Sequence, residues 1–175
     1  MRIIAGERRG ARIAAPKGPH TRPTSDRARE AVFNLLGPVD DATVLDLFAG
    51  SGAMGLEALS RGARRAVFVE SDRAACAVIA QNLEKLRLTG AVVLCQDALQ
   101  ALRDARGHGY DLVFVDPPYE GWAELQPRLA TALPAVLAST GLLVVETSAR
   151  VQPELPLDLV TSRRYGSARI SLFAP

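Results

Sequence analysis

A chain of 175 residues that is 48% hydrophobic and 23% charged has the apolar content of one α/β domain with a full core. No run approaches the roughly eighteen apolar residues of a membrane span, and "MRIIAGERRG" lacks the apolar stretch of a secretory signal, so a cytoplasmic location and no membrane partner are expected. The net charge of +2 conceals an asymmetry: Arg2, Arg8, Arg9, Arg12, Lys17, Arg22, Arg27 and Arg29 against Glu7, Asp26 and Glu30 leave residues 1–30 at +5 and the other 145 at −3. A basic arm on a mildly acidic body predicts a polyanion gripped at one end.

In chain order, the short apolar runs 2–5 and 11–14 flank "GERRG" and predict a small β-hairpin, followed by a loop through "APKGPHTRP". "TSDRAREAVFNLLG" predicts a helix with Thr24 or Ser25 as N-cap, Asp26 in its first turn and Gly37 past its end. Ala28, Val32, Phe33 and Leu36 recur at helical spacing and give that helix an apolar face. Strands are then predicted at 43–47, 66–70, 91–95, 110–115 and 141–146, with helices near 53–61, 72–88, 97–104 and 122–138 between them. Continuous apolar strands separated by amphipathic helices predict a parallel sheet covered on both faces. After Glu146 the rhythm changes, because "LDLVTSRRYGSARISLF" offers two strands joined by a Gly-containing turn.

The first strand runs into "LDLFAGSGAMG", where Gly50, Gly52 and Gly55 spell G-x-G-x-x-G, and Glu70 closes the second strand. NAD and S-adenosylmethionine proteins both place a glycine turn and an acid here, the acid accepting from ribose hydroxyls. Asp46 separates the two readings. A carboxylate beside the turn opposes a pyrophosphate on the helix N-terminus, but suits a sulfonium cofactor that has an amino group and no phosphate. Asp46 could also hold the turn by accepting from backbone amides. Asp97, after the third strand, can accept from an adenine amino group, cap the next helix, or do both.

The fourth strand ends in Asp116, Pro117, Pro118 and Tyr119. Two prolines remove two amide donors and stiffen the chain, so the Asp116 carboxylate and the Pro117 carbonyl form a rigid acceptor pair. Such a pair can take both hydrogens of an exocyclic base amine and turn its otherwise delocalised lone pair toward an electrophile. Tyr119 offers the stacking face for the unstacked base.

These segments carry a resemblance. "DPPY" with "LDLFAGSGAMGLEALSRGA" is similar to the amino-directed, S-adenosylmethionine-dependent nucleic-acid methyltransferases. Together with "MRIIAGERRG" and "TRPTSDRAREAVFNLL", it resembles the RsmD family over residues 1 to about 148. The resemblance implies a Rossmann-like class I methyltransferase fold with a seven-stranded, mostly parallel sheet, a terminal antiparallel hairpin and a small N-terminal β-hairpin arm. It divides the chain into an arm over 1–20 and a methyltransferase domain over 21–175. It implies methylation of N2 of one guanine in 16S rRNA within an assembling or assembled small ribosomal subunit, by a monomer.

The resemblance further implies S-adenosyl-L-methionine as cofactor and S-adenosyl-L-homocysteine as product. Asp46, Gly50, Ser51 and Gly52 would form the cofactor loop, Glu70 would bind the ribose, and Asp97 with Ala98 would face the adenine. Asp116, Pro117, Pro118 and Tyr119 would be catalytic, and Arg2, Arg8, Arg9, Arg12 and Arg22 would contact RNA. Ser25, Ala28 and the short segment after Tyr119 depart from the family pattern.

Other readings explain less. A DNA adenine-N6 methyltransferase would share the tetrapeptide but usually carries a target-recognition insertion, and none is visible. Cytosine-C5 methylation needs a thiolate in a Pro-Cys context, and neither Cys76 nor Cys95 follows a proline. An oxidoreductase or a non-catalytic RNA-binding domain leaves the tetrapeptide unexplained. With no C-x-x-C and only His20 and His108, no metal site is expected, and both cysteines read as small buried hydrophobes.

Overall fold

The computed structural model describes residues 1–16 and 26–175. Seven strands form one sheet: β1 (Thr43–Leu47), β2 (Arg65–Glu70), β3 (Ala91–Cys95), β4 (Tyr110–Val115), β5 (Leu137–Ser148), β6 (Asp158–Tyr165) and β7 (Ala168–Ala174). Their order is β3-β2-β1-β4-β5-β7-β6, with β7 antiparallel to both its neighbours and all other pairings parallel. The expected seven-stranded, mostly parallel sheet with a terminal antiparallel hairpin is therefore the observed architecture.

Among the described residues five helices cover the sheet: α1 (Asp26–Leu36), α2 (Ala53–Ser60), α3 (Arg73–Leu86), α4 (Ala98–Asp104) and α5 (Trp122–Ala132). The inner strands β1, β2 and β4 bury both of their faces, which is why their apolar residues run on without alternating, while β3 at the sheet edge is only half-buried. On one face Val44, Phe68, Phe114 and Val144 pack under Val32, Phe33, Leu56 and Ile79 of α1, α2 and α3. On the other, Leu45, Val67, Val113 and Val145 pack under Leu99 and Leu102 of α4 and Trp122 and Leu129 of α5.

The helix expected over 122–138 is shorter. It stops at Ala132, a 3-10 turn containing Pro134 follows, and β5 starts at Leu137. Pro134 lacks the N–H for a further i to i−4 bond and sits in the 3-10 turn, and the pairing of β5 with β4 shifts register between Tyr110 and Leu112.

The N-terminal segment forms the small antiparallel hairpin that was expected: Arg2 bridges Arg12, Ile3 N–H donates to the Ala11 carbonyl at 2.9 Å, Ile13 N–H to the Met1 carbonyl at 3.1 Å and Gly10 N–H to the Ile3 carbonyl at 2.8 Å. Ile3 and Ile13 are buried in the core of the α1 face, so this segment is held by packing as well as by its pairing. Its turn lies against the end of α2: Glu7 N–H donates to the Ser60 carbonyl at 2.7 Å, and Arg8 N–H to Ser60 Oγ at 3.0 Å. A Cβ on Gly6 would fall 1.7 Å from the Ser60 carbonyl oxygen, so only glycine permits this approach.

Glu57 ties the segment down. Its carboxylate accepts from Ile4 N–H at 2.8 Å, Ala5 N–H at 2.9 Å and Arg61 Nε at 2.8 Å, and it faces Arg29 Nε at 3.5 Å. Arg29 is fully buried, pairs with Asp26 and donates to the Arg2 carbonyl, so this member of the basic N-terminal set serves the fold.

Candidate active site at the carboxyl ends of the strands

Sheet order reverses between β1 and β4, which opens a crevice beyond their carboxyl ends. Leu47 and Val115, the last residues of these strands, are register partners. The glycine loop and the tetrapeptide therefore leave neighbouring strands, about 4.8 Å apart, at the same height. Leu47 also pairs with Val69, Glu70 with Cys95, and Val115 with Val145, so Glu70, Asp116 and Glu146 sit at or just past one sheet edge.

The glycine loop is fastened from both sides by carboxylates. Gly50 N–H donates to Glu70 at 2.9 Å, and Gly55 N–H, in the first turn of α2, donates to Asp46 at 2.9 Å. Phe48, Gly50 and Gly52 all have positive φ, at 60°, 56° and 77°. Phe48 is the informative one, because a bulky residue in the left-handed region signals a turn held by its surroundings, here including Ala49 N–H on the Val69 carbonyl at 3.0 Å. Ser51 lies in the same loop, and its carbonyl accepts from Asn82 Nδ2 at 3.3 Å. Asn82 also exchanges bonds with Ala14, which joins the loop to the N-terminal segment.

The third glycine has a packing role. A Cβ on Gly55 would lie 2.3 Å from Cε1 of the buried Phe68 ring, so α2 can approach β2 only with glycine there. This is close helix-to-strand packing and makes no claim on phosphate.

Asp46 is 2% exposed. Burial, the larger cause, and the negative charge of Glu70 raise its carboxyl from 3.8 to about 7, against the opposing Gly55 hydrogen bond. Both possibilities open for Asp46 thus meet in one place: it does hold the turn, and it is a buried acid under the loop. Asp97 caps α4, accepting from Gln100 N–H at 3.0 Å, with its side chain exposed at the edge and Ala98 buried behind it.

In the tetrapeptide Pro117 is buried, Pro118 is exposed, and Asp116 and Tyr119 are half-buried. The Tyr119 hydroxyl donates to Glu146 at 3.0 Å. Glu146 escaped the sequence reading because it looks like the ordinary polar end of an apolar strand; its position one step beyond the register partner of Val115 is visible only once β5 is paired with β4.

Cys76 is buried as expected, with Sγ donating to the Glu70 carbonyl at 3.3 Å and its thiol pushed up to about 12 by burial and then by neighbouring Cys95. Cys95 is exposed, contrary to expectation, because β3 is an edge strand and this residue ends it.

Of the arginines expected to meet RNA, Arg2, Arg9 and Arg12 are exposed. Arg8 is half-buried, with Nε on the Leu86 carbonyl at the end of α3. The turn carrying Arg8 and Arg9 thus lies at the far end of α2 from the glycine loop, about 12 Å along a helix of 8 residues. Arg22, the Arg-Pro-Thr segment 22–24 and the Thr24 or Ser25 cap lie outside the described residues. No helix among the described residues is long and apolar enough to cross a membrane, and no group of three His, Cys, Asp or Glu among them could hold a metal ion.

Comparison with known proteins agrees with this architecture. A Bacillus subtilis (strain 168) protein carrying the provisional name rRNA methyltransferase YlbH is 38% identical over 185 residues, covering 99% of this chain and 98% of its own. Ribosomal RNA small subunit methyltransferase D of Escherichia coli (strain K12) is 48% identical over 120 residues, a match spanning 68% of this chain and 60% of that protein. Among solved structures, the yhhF methyltransferase from Escherichia coli superposes with a TM-score of 0.86 at 36% identity, covering 99% of this chain and 96% of that one. With residues 1–174 matching the family model described as conserved hypothetical protein 95, the chain belongs to that family, the RsmD family.

Proposed function

We propose that this chain transfers a methyl group from S-adenosyl-L-methionine to the exocyclic N2 of a guanine in 16S rRNA. The observation that carries the reading is the shared register of Leu47 and Val115, which sets a carboxylate-fastened glycine loop beside Asp-Pro-Pro-Tyr at the point where sheet order reverses.

The donor set supports this cofactor class over a dinucleotide. The amides a pyrophosphate would need are committed: Gly50 N–H to Glu70 and Gly55 N–H to Asp46. Two acids beneath and beside the loop favour a ligand with an ammonium group and ribose hydroxyls. In this reading Asp46, Gly50, Ser51 and Gly52 face the amino-acid portion, Glu70 the ribose, and Asp97 and Ala98 the adenine. When bound, the cofactor supplies an electrophilic methyl group.

The chain's own residues do the rest by positioning, which is where most of the acceleration of such a transfer originates. The Asp116 carboxylate and the Pro117 carbonyl accept the two amine hydrogens and aim the lone pair, Pro118 fixes the turn, and Tyr119 stacks on the base. Forming the N–C bond would break the methyl–sulfur bond and leave S-adenosyl-L-homocysteine, and the nitrogen, made acidic, would pass its proton to Asp116 or to water. No covalent enzyme intermediate is required.

The proposal keeps residues 1–20 as a basic arm and 21–175 as the catalytic domain, acting as a cytoplasmic monomer on an assembling or assembled small subunit. Calorimetry with S-adenosylhomocysteine and with NAD tests the cofactor reading, and scintillation counting of methyl label on small subunits against duplex DNA tests the polymer. The proposal expects homocysteine-product binding, no NAD binding and label on the subunits; NAD binding alone, or label confined to DNA, would overturn it.

A further inference from the structure

We propose that the β6–β7 hairpin is a second rRNA-binding surface, in which Arg150, Arg163 and Arg164 grip phosphates beside the catalytic edge. This rests on the rRNA reading above and adds a contact separate from that of the N-terminal turn, whose Arg8 and Arg9 lie at the foot of α2.

The register places the hairpin. Glu146 pairs with Ile170, and Ile170 with Arg163; Thr147 pairs with Arg169, and Arg169 with Arg164. Arg163 is thus two strands across from the residue that holds the Tyr119 hydroxyl, about 10 Å at the usual strand spacing. Because β6 runs in the same direction as β5, its arginines reach the catalytic edge while Asp158 starts the strand at the opposite end. Five and six residue steps put Asp158 about 17–20 Å from Arg163 and Arg164, so that carboxylate leaves the arginine end unneutralised.

Arg150, Arg163 and Arg164 are exposed, and among the described residues none forms an ion pair with a carboxylate. Arg2, Arg8, Arg29 and Arg61 all do. Arg163 and Arg164 are consecutive on a strand and so project to opposite sides of the rim. Arg169 does not join them outside. Its guanidinium donates to Gln152 Oε1 at 2.8 Å, Ser162 Oγ at 2.9 Å and the Ala149 carbonyl at 3.2 Å, while Ala149 N–H donates to the Ser167 carbonyl at 2.8 Å. These bonds pin the segment after β5 against the hairpin and hold Arg150 next to its turn. Free guanidinium groups on a rigid rim suit the bidentate geometry of phosphate oxygens.

Arginines on an edge strand also resist strand addition, a role that makes no demand on salt. The test separates the two. Binding of small ribosomal subunits is measured against salt for the wild type, R163Q/R164Q and R163K/R164K, with circular dichroism and S-adenosylhomocysteine binding reporting the fold. We expect the glutamine variant to bind about tenfold more weakly near physiological salt, with a log-log salt slope shallower by about 1.4 to 1.8, and the lysine variant to keep the wild-type slope. Unchanged affinity and slope, in a setting where the wild type methylates subunits, would overturn the hairpin proposal and leave the function standing. Weaker binding with an unchanged slope would overturn it in favour of a protein contact. Failure of the wild type to bind subunits would overturn both.

Discussion

The Tyr119 hydroxyl bonds to the Glu146 carboxylate at 3.0 Å, tying the aromatic after β4 to the end of β5. In the role proposed for Tyr119, a ring tethered at its tip would present a fixed face to a base. Tyr119→Phe keeps the face and loses the tether, and kcat/KM should fall about tenfold, the low end for a half-buried bond to a charged acceptor. Tyr119→Ala should cost about 100-fold or more, because stacking is lost as well. Glu146→Gln, whose side-chain oxygen still accepts, should be the mildest of the three. Equal effects of the phenylalanine and alanine variants would show that the ring face does not contribute.

Division of labour between loop and tetrapeptide is checked at Asp116. Asp116→Ala should abolish transfer while S-adenosylhomocysteine affinity measured by calorimetry stays within about twofold, because cofactor binding is assigned to the residues after β1, β2 and β3. Parallel loss of affinity and activity would assign Asp116 to the cofactor instead.

Asp46 makes stability depend on pH. Its carboxyl is raised to about 7, so the folded chain holds this proton more tightly than the unfolded chain. That contribution is complete below about pH 4 and is lost as the pH rises through about 7. Asp46→Asn can still accept from Gly55 N–H but does not titrate. The wild-type Tm should therefore fall relative to the variant between pH 5 and pH 8; parallel profiles across that window would contradict the burial argument.

Two buried contacts have structural consequences. Gly55→Ala in a free helix would gain stability, yet with Phe68 2.3 Å from the new methyl group it should lose about 1–3 kcal/mol by denaturant unfolding, and Phe68→Leu in the same chain should recover part of that. Glu57→Ala removes the acceptor of two N-terminal amides and leaves Asp26 as the carboxylate paired with buried Arg29 among the described residues, a loss of about 3–5 kcal/mol. Limited proteolysis should then cut residues 1–16 early. An N-terminus as protected as in the wild type would remove Glu57 from its place as the anchor.

Much of the site was legible because its chemistry is local. A strand followed by a glycine turn, an acid at the next strand end and Asp-Pro-Pro-Tyr after an apolar run each occupy a few consecutive residues. What stayed hidden depends on pairs far apart in the chain. Glu146 acquires meaning only through the β4–β5 register, and Glu57 and Arg29 only when α1, α2 and the N-terminal segment meet. Arg163 and Arg164 looked like an unremarkable strand end until β7 was inserted between β5 and β6, carrying them to the catalytic edge. The N-terminal hairpin was legible as well: the two short apolar runs around "GERRG" pair with each other, and they also bury Ile3 and Ile13 in the core.

The central claim is tested most directly by incubating the protein with methyl-labelled S-adenosylmethionine and small ribosomal subunits from cells lacking it, then digesting the RNA and identifying the labelled nucleoside. The account predicts label in N2-methylguanosine, absent with Asp116→Ala. Label in any other nucleoside, or transfer that survives Asp116→Ala, would contradict it.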